Sequence, residues 1–163
     1  MTRHGRRRLT TALMLVTLLS ACGLGVAPPA ERMALDPATL ERTGRSNDFL
    51  VCPEGYCAAV SDRVAPVLSV DPAELLRLWE DVVTASPRTR VLAADDTRLT
   101  LHAEQRSRLI RFVDTIVVRV VPLEGGRSSF AAYSRSELGY NDMGVNRARL
   151  EEWIARVEAA AGG

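Results

Sequence analysis

Apolar and polar positions fall into regular patterns only from about residue 66 onward. Leu75, Leu78, Trp79 and Val82 recur at helical spacing and predict a helix over residues 71–86 with one apolar stripe. Asp71 suits its N-cap, Pro72 its first position and Glu74 its third, and Ser86-Pro87 ends it. The short apolar run just before it, residues 66–70, reads as a strand. Four strands follow. Residues 90–94 are the first, and Asp95-Asp96 turns the chain. In the second, Leu99, Leu101 and Ala103 alternate with Thr100, His102 and Glu104, the pattern of a half-buried strand with one wet face. Residues 110–121 are the most apolar and take the centre. Glu124-Gly125-Gly126 makes a hairpin turn into residues 128–136. A polar loop runs to Gly144, and Leu150, Trp153, Ile154 and Val157 form the buried stripe of a last helix over residues 147–160. Helix, meander and helix in that order predict an α+β fold. The sheet is an antiparallel four-strand meander, five strands if residues 66–70 join it, with two helices packed on one face.

The first part of the chain follows different rules. Arg3, Arg6, Arg7 and Arg8 precede an apolar run over residues 9–19, and Leu19-Ser20-Ala21-Cys22 comes next. A basic start, a short apolar run and small residues describe an export signal. The run is too short to span a bilayer comfortably. Small residues directly before Cys resemble the bacterial lipobox, in which the thiol of Cys22 takes acyl chains such as palmitate and the chain is cut just before it. Several acyl chains hold a soluble domain durably at a bilayer. Gly23 stands where Asp would retain a lipoprotein at the inner membrane, which favours the outer membrane, facing the periplasm. Arg6-Arg7 also resembles a twin-arginine signal, with Gly5 in place of the usual hydroxyl residue, so the export route stays open. Residues 22–47, with Ala27-Pro28-Pro29-Ala30 and no long apolar pattern, read as lipidated Cys and flexible tether, and Asp36-Pro37 as the start of one short helix ending near Gly44. The division is therefore signal 1–21, tether 22–47 and one domain 48–163.

Charge narrows the partners. Taking the signal's four Arg from the 21 basic residues leaves 17 against 20 acidic ones. A mildly acidic domain is a poor candidate for non-specific nucleic-acid binding. After Cys22 only Cys52 and Cys57 remain, around Pro53-Glu54-Gly55-Tyr56. In an oxidising compartment the pair is expected to close a small disulfide loop; free thiols and half of a metal site are the alternatives. The other half of a metal site is missing, since His4 leaves with the signal and His102 stands alone. No metal or other cofactor is expected.

Two segments hold more polar residues than packing requires. Arg111-Phe112-Val113-Asp114 lies in the central strand, where alternation puts Asp114 on the face of Phe112, Ile116 and Val118. A carboxylate there is costly unless paired. The second segment runs from Tyr133 through Ser134, Arg135, Ser136, Asp142 and Asn146 to Arg147. RFVDTIVVRV and YSRSELGYNDMGVNRARLEEWI together resemble a bacterial family of unknown function, DUF 1499. Arg111, Phe112 and Asp114 match its strand motif. Ser134, Arg135, Gly139, Asp142, Gly144, Asn146, Arg147 and Arg149 match its loop motif, and Cys57 its cysteine-containing start. Thr115 replaces a second Asp, Glu137 lengthens the loop by one residue, and Asn141 stands where Ser is usual. The resemblance covers about residues 52–157 and implies a shared fold but no activity.

Physically, Asn146 is a good N-cap for the last helix. Arg147 and Arg149 then sit in its first turn, where positive charge opposes the helix dipole unless an anion meets it. That anion is either internal, Asp114 or Asp142, or belongs to a ligand. Arg111, Asp114, Ser134, Arg135, Asp142, Asn146 and Arg147 are the candidate ligand-binding residues. A hydrolase would need Ser134 or Ser136 beside a base, and His102, on the wet face of another strand, is the one histidine left. No nucleophile elbow, P-loop or zinc-helix motif is present, so no catalytic residue is assigned. The expectation is an exported, lipid-anchored module for a small anionic ligand or an envelope protein. An assembly lipoprotein with a purely structural loop network is the alternative, and a small hydrolase the second.

Overall fold

The computed structural model describes residues 29–108 and 111–162; Cys22 and the expected signal lie outside the described residues. In chain order the elements are α1 (Pro29–Met33), β1 (Asp48–Cys52), β2 (Arg63–Val64), α2 (Pro72–Thr84), β3 (Thr89–Asp95), β4 (Thr100–Arg106), β5 (Val113–Leu123), β6 (Arg127–Ser136) and α3 (Val145–Ala161). They form one sheet in the order β2-β1-β6-β5-β4-β3. The expected α+β class holds, and so does the meander from β3 to β6, antiparallel throughout.

The sheet is larger than expected. It has six strands, because β1 pairs antiparallel with β6 and β2 lies parallel to β1, so the sheet is mixed. Residues 66–70 are not a strand. Pro66 has no N–H to give a ladder, and Leu68 makes a single bridge, to Ser128. The central strand starts at Val113, because Arg111 (φ 58°) leaves the extended region and the Ser107 hydroxyl takes the Phe112 N–H. The short helix expected after Asp36 is absent: the Asp36 carboxylate accepts from the Ala38 N–H in a tight turn, and α1 lies earlier in the chain.

α2 follows its sequence signals closely. Asp71 accepts from the N–H groups of Ala73 and Glu74, and Leu75, Leu76, Trp79, Val82 and Val83 are buried. Both long helices pack on one face of the sheet. Phe49, Val51, Leu101, Ile116, Val118, Val120, Phe130 and Ala132 meet them there, with Trp79 edge-on to Phe130 at 4.9 Å.

The other sheet face is covered by residues expected to be tether. Leu40 packs on Leu50 and Tyr133. Arg32 donates to Glu104 at 2.9 Å, with both side chains about one-twentieth exposed, and Asp36 meets Arg119 at 3.0 Å. Burial alone would raise the Glu104 carboxyl, but the Arg32 hydrogen bond and the charges of Arg90 and Arg106 hold it below its ordinary value. His102 is therefore not a surface histidine. It is half-buried under this segment, its Nδ1 has no hydrogen-bond partner among the described residues, and burial lowers its pKa against opposing contributions from the Arg32 backbone and Asp36.

Cys52 and Cys57 form a disulfide that closes the bend after β1. A six-residue loop of this kind restricts the unfolded chain by about 2 kcal/mol. Reduction, or paired Cys52→Ser and Cys57→Ser, is expected to lower stability by that amount in urea titrations at equal slope. His102 gives a separate pH signature. Its folded pKa lies below the ordinary 6.5, so the unfolded chain takes up the proton first and stability falls as pH drops below that value. The thermal midpoint should fall between about pH 7.5 and 5.5, and His102→Gln should flatten that fall.

Candidate functional site

Strand register sets the site. Gln105, Asp114 and Ser136 lie abreast on β4, β5 and β6, and Ala103, Ile116, Ser134 and Phe49 form the next row. Rows further along this face, such as Leu101, Val118 and Ala132, are apolar. The helix-facing core thus has one polar end. α3 matches it: its buried stripe is Asn146, Arg149, Leu150, Trp153, Ile154 and Val157. The two polar members come first and lie over the polar rows.

Arg149 is the hub. It is 6% exposed and donates to Asp114 at 2.5 Å, to Gln105 at 2.8 Å, to Ser134 Oγ at 2.7 Å and to Asn146 Oδ1 at 2.6 Å. Ser134 Oγ donates to Asn146 Oδ1 at 2.6 Å. The Asn146 amide donates to Asp142, to Ser136 Oγ and to the Asn47 carbonyl. The Asn47 amide in turn holds the carbonyls of Ser136 and Gly139. One network thus joins three strands, the residue before β1, the last helix and the loop before it.

This arrangement revises the reading of the loop. Asn146 is not the N-cap. Helical spacing puts it in phase with Leu150 and Trp153, so its side chain turns inward. Gly144, at φ 79°, holds the cap position without a side-chain bond, and Asp142 supplies the acceptors, taking the N–H of Gly144 at 3.0 Å and of Asn146 at 2.7 Å. For Arg149 the anion expected at this helix start is internal, Asp114, while Arg147 makes no ion pair among the described residues. Ser134 is fully buried and meets an amide and a guanidinium, so its hydroxyl has no base beside it.

The predicted residues do not all converge. Asp114, Ser134, Asn146 and Asp142 join the network. Arg135 lies on the other sheet face and pairs with Glu137 at 3.2 Å. Arg111 is exposed in the turn between β4 and β5. Arg147 falls outside the buried stripe and stands over the Phe49 ring, 5.0 Å from its centroid. It lines an open cleft of about 500 Å³ with Arg42, Arg45, Asp48, Asp62 and Asn141. Arg42 is occupied there: Asp48 at 2.5 Å and Asp62 at 3.0 Å hold its pKa above the ordinary guanidinium range, against burial. Asp48 also accepts from the Tyr133 hydroxyl, which burial and that carboxylate push upward. Arg45 and Arg147 make no ion pair among the described residues, where no group of three or more potential metal ligands occurs either.

The sequence reading missed Arg149 as the centre, with Gln105, Asn47 and Arg45. The signal for Arg149 was its phase, four residues before Trp153 and eight before Val157. Nothing local marked Gln105 or Asn47, which act only through register.

This geometry defines an α+β domain whose core ends in an Arg-centred polar network. The chain matches the family described as "Protein of unknown function (DUF1499)" over residues 34–157 and belongs to it. No curated protein matches the chain. Among solved structures, it is similar to the di-domain ARO/CYC BexL from the BE-7585A biosynthetic pathway, with 12% identity over 58% of this chain and 44% of that one, and a TM-score of 0.45. The chain thus spans less than half of that protein's length. It is also similar to Ara h 8.0201, with 10% identity over 60% of this chain and 93% of that one, and a TM-score of 0.45. A protein from Thermobifida fusca aligns at 14% identity over 60% of this chain and 84% of that one, with a TM-score of 0.38. Likenesses of this size carry no argument about activity.

Arg149→Met would leave Asp114 buried without a partner and is expected to cost about 3–5 kcal/mol in urea denaturation. Adding Asp114→Leu should recover most of that loss, because the unpaired charge is gone. Ser134→Ala is expected to cost about 1–3 kcal/mol.

Proposed function

We propose that this chain is a bacterial lipoprotein, exported on residues 1–21 and held by acylated Cys22 at the envelope, facing the periplasm with the outer membrane favoured. Its domain serves as a binding module for a small anionic ligand. The ligand site is the cleft beside the start of α3, and the network around Arg149 is the frame that positions it. One observation carries this reading: Arg45 and Arg147 face the same cleft with no carboxylate in ion-pair reach among the described residues. A volume near 500 Å³ suits a ligand of a few to a few tens of atoms. Two guanidinium groups favour a phosphate or carboxylate, which they can hold in bidentate fashion. The lipoprotein part rests on the order of basic, apolar and small residues before Cys22. No helix among the described residues is long and apolar enough to cross a membrane.

A second reading, an assembly lipoprotein with a structural loop, is favoured by the full internal pairing of Arg149 and the pairing of Arg135 with Glu137.

The two readings part in one experiment. A chain from residue 22 with Cys22→Ser keeps every contact described above, since all lie within residues 29–162. Its thermal midpoint is measured with inorganic phosphate, sulfate and succinate. Ligand at a hundred times its Kd stabilises by about 2.7 kcal/mol. A rise in wild type that disappears in Arg147→Gln and in Arg45→Gln supports the binding module. An unchanged midpoint with all three anions removes it and leaves the assembly reading.

A further inference from the structure

The strand ends that carry the polar network also carry an unusual surface. The β4–β5 turn and the loop from β6 to α3 emerge there side by side. At and beside them Phe112, Tyr140, Met143 and Val145 are exposed, four of the eight exposed large apolar residues among those described. Phe112, Met143 and Val145 line one apolar groove with Leu138. Beside it, Arg88, Arg90, Arg106 and Arg111 gather around the single carboxylate of Glu104. That carboxylate is already shared by Arg32, Arg90 and Arg106 at 2.9, 3.2 and 3.6 Å. Arg88, Arg108 and Arg111 make no ion pair among the described residues and are exposed. The turns at the opposite end of the sheet hold Asp95, Asp96 and Glu124 with two Arg only, Arg98 near Asp95 at 3.8 Å and Arg127 at the start of β6. A domain with an excess of acid is thus polarised, with Arg concentrated at one end.

The geometry points to this end as a docking face for an anionic phospholipid surface. Exposed aromatic and apolar side chains flanked on one side by Arg are what an interface of headgroups and acyl chains recognises. Each Arg near such a surface contributes about 1 kcal/mol. The chain's own path supports the same occupant. Arg32 is pinned to Glu104 inside the Arg cluster, and it lies ten residues after Cys22. Fully extended, that segment spans at most about 35 Å. An acylated Cys22 therefore holds this end of the domain within that distance of a bilayer. The inference rests on the lipoprotein reading for this nearness alone; charge and apolar tips stand without it. The domain lies down on its membrane through Arg108, Arg111, Phe112 and the start of α3, and does not hang freely from its anchor.

The test uses the unacylated chain from residue 22 with Cys22→Ser, so that binding owes nothing to the anchor. It is spun down with vesicles of phosphatidylcholine alone, or of phosphatidylcholine and phosphatidylglycerol in equal parts, at low and high salt. The expected result is sedimentation with the mixed vesicles at low salt, lost on neutral vesicles and weakened by salt. Arg108→Gln with Arg111→Gln should lower the partition coefficient about five-fold per Arg. Arg108→Lys with Arg111→Lys should keep it, and Phe112→Ser should lower it. These side chains are exposed, so the variants fold, and the phosphate response of the Arg147 cleft checks this independently. No sedimentation with either vesicle, or equal sedimentation with both, overturns the proposal. Mass measurement of the native protein from membranes reports on Cys22 acylation separately, so a failed anchor and a failed docking face are told apart.

Discussion

Arg149 holds a full positive charge almost out of contact with water, and the fold is arranged so that this charge is never alone. A guanidinium has five donors in one plane. Here they reach Asp114 on β5, Gln105 on β4, Ser134 on β6 and Asn146 on α3 itself. A buried pair of this kind adds little net stability over apolar packing, yet breaking it strands a charge. Its effect is therefore on uniqueness. α3 cannot rotate, and β4 cannot slip against β5, without separating Arg149 from at least one acceptor. A slip of one residue would also send Asp114 to the opposite face.

The network explains why the proposed binding surface lies further out. Asp114 and Asp142 are consumed inside, one by Arg149 and the other by the start of α3. Among the described residues Arg147 pairs with no carboxylate, and helical geometry turns it away from the core onto the Phe49 ring. Arg135 and Arg149, both in the same loop motif, are bound to protein carboxylates. The motif thus joins two jobs, an inner frame and an outer cation, and spacing along α3 separates them.

The N-terminal segment forms a second cover that the apolar pattern of the domain does not announce. Leu40, Arg32 and Asp36 lie over the sheet face away from the helices, and the family match itself begins at residue 34. This cover half-buries His102 and pins the chain from the expected anchor to the Arg-rich end of the sheet.

Local periodicity was enough to read α2, the meander and the apolar stripe of α3, because those features repeat every two or 3.6 residues. The capping of α2 by Asp71 was equally legible. The sequence by itself also determined that Asp114 needs a partner, since a carboxylate among Ile116 and Val118 has no other outcome. It did not name the partner. Arg149 is 35 residues away, and only strand register and the packing of α3 bring the two together. The same holds for β1 and β2, too short to show alternation and defined by their neighbours. Asn146 was read as a cap because its type favours that position. The tertiary structure turned it inward, where a helix start crowded against a polar sheet end offered it five partners.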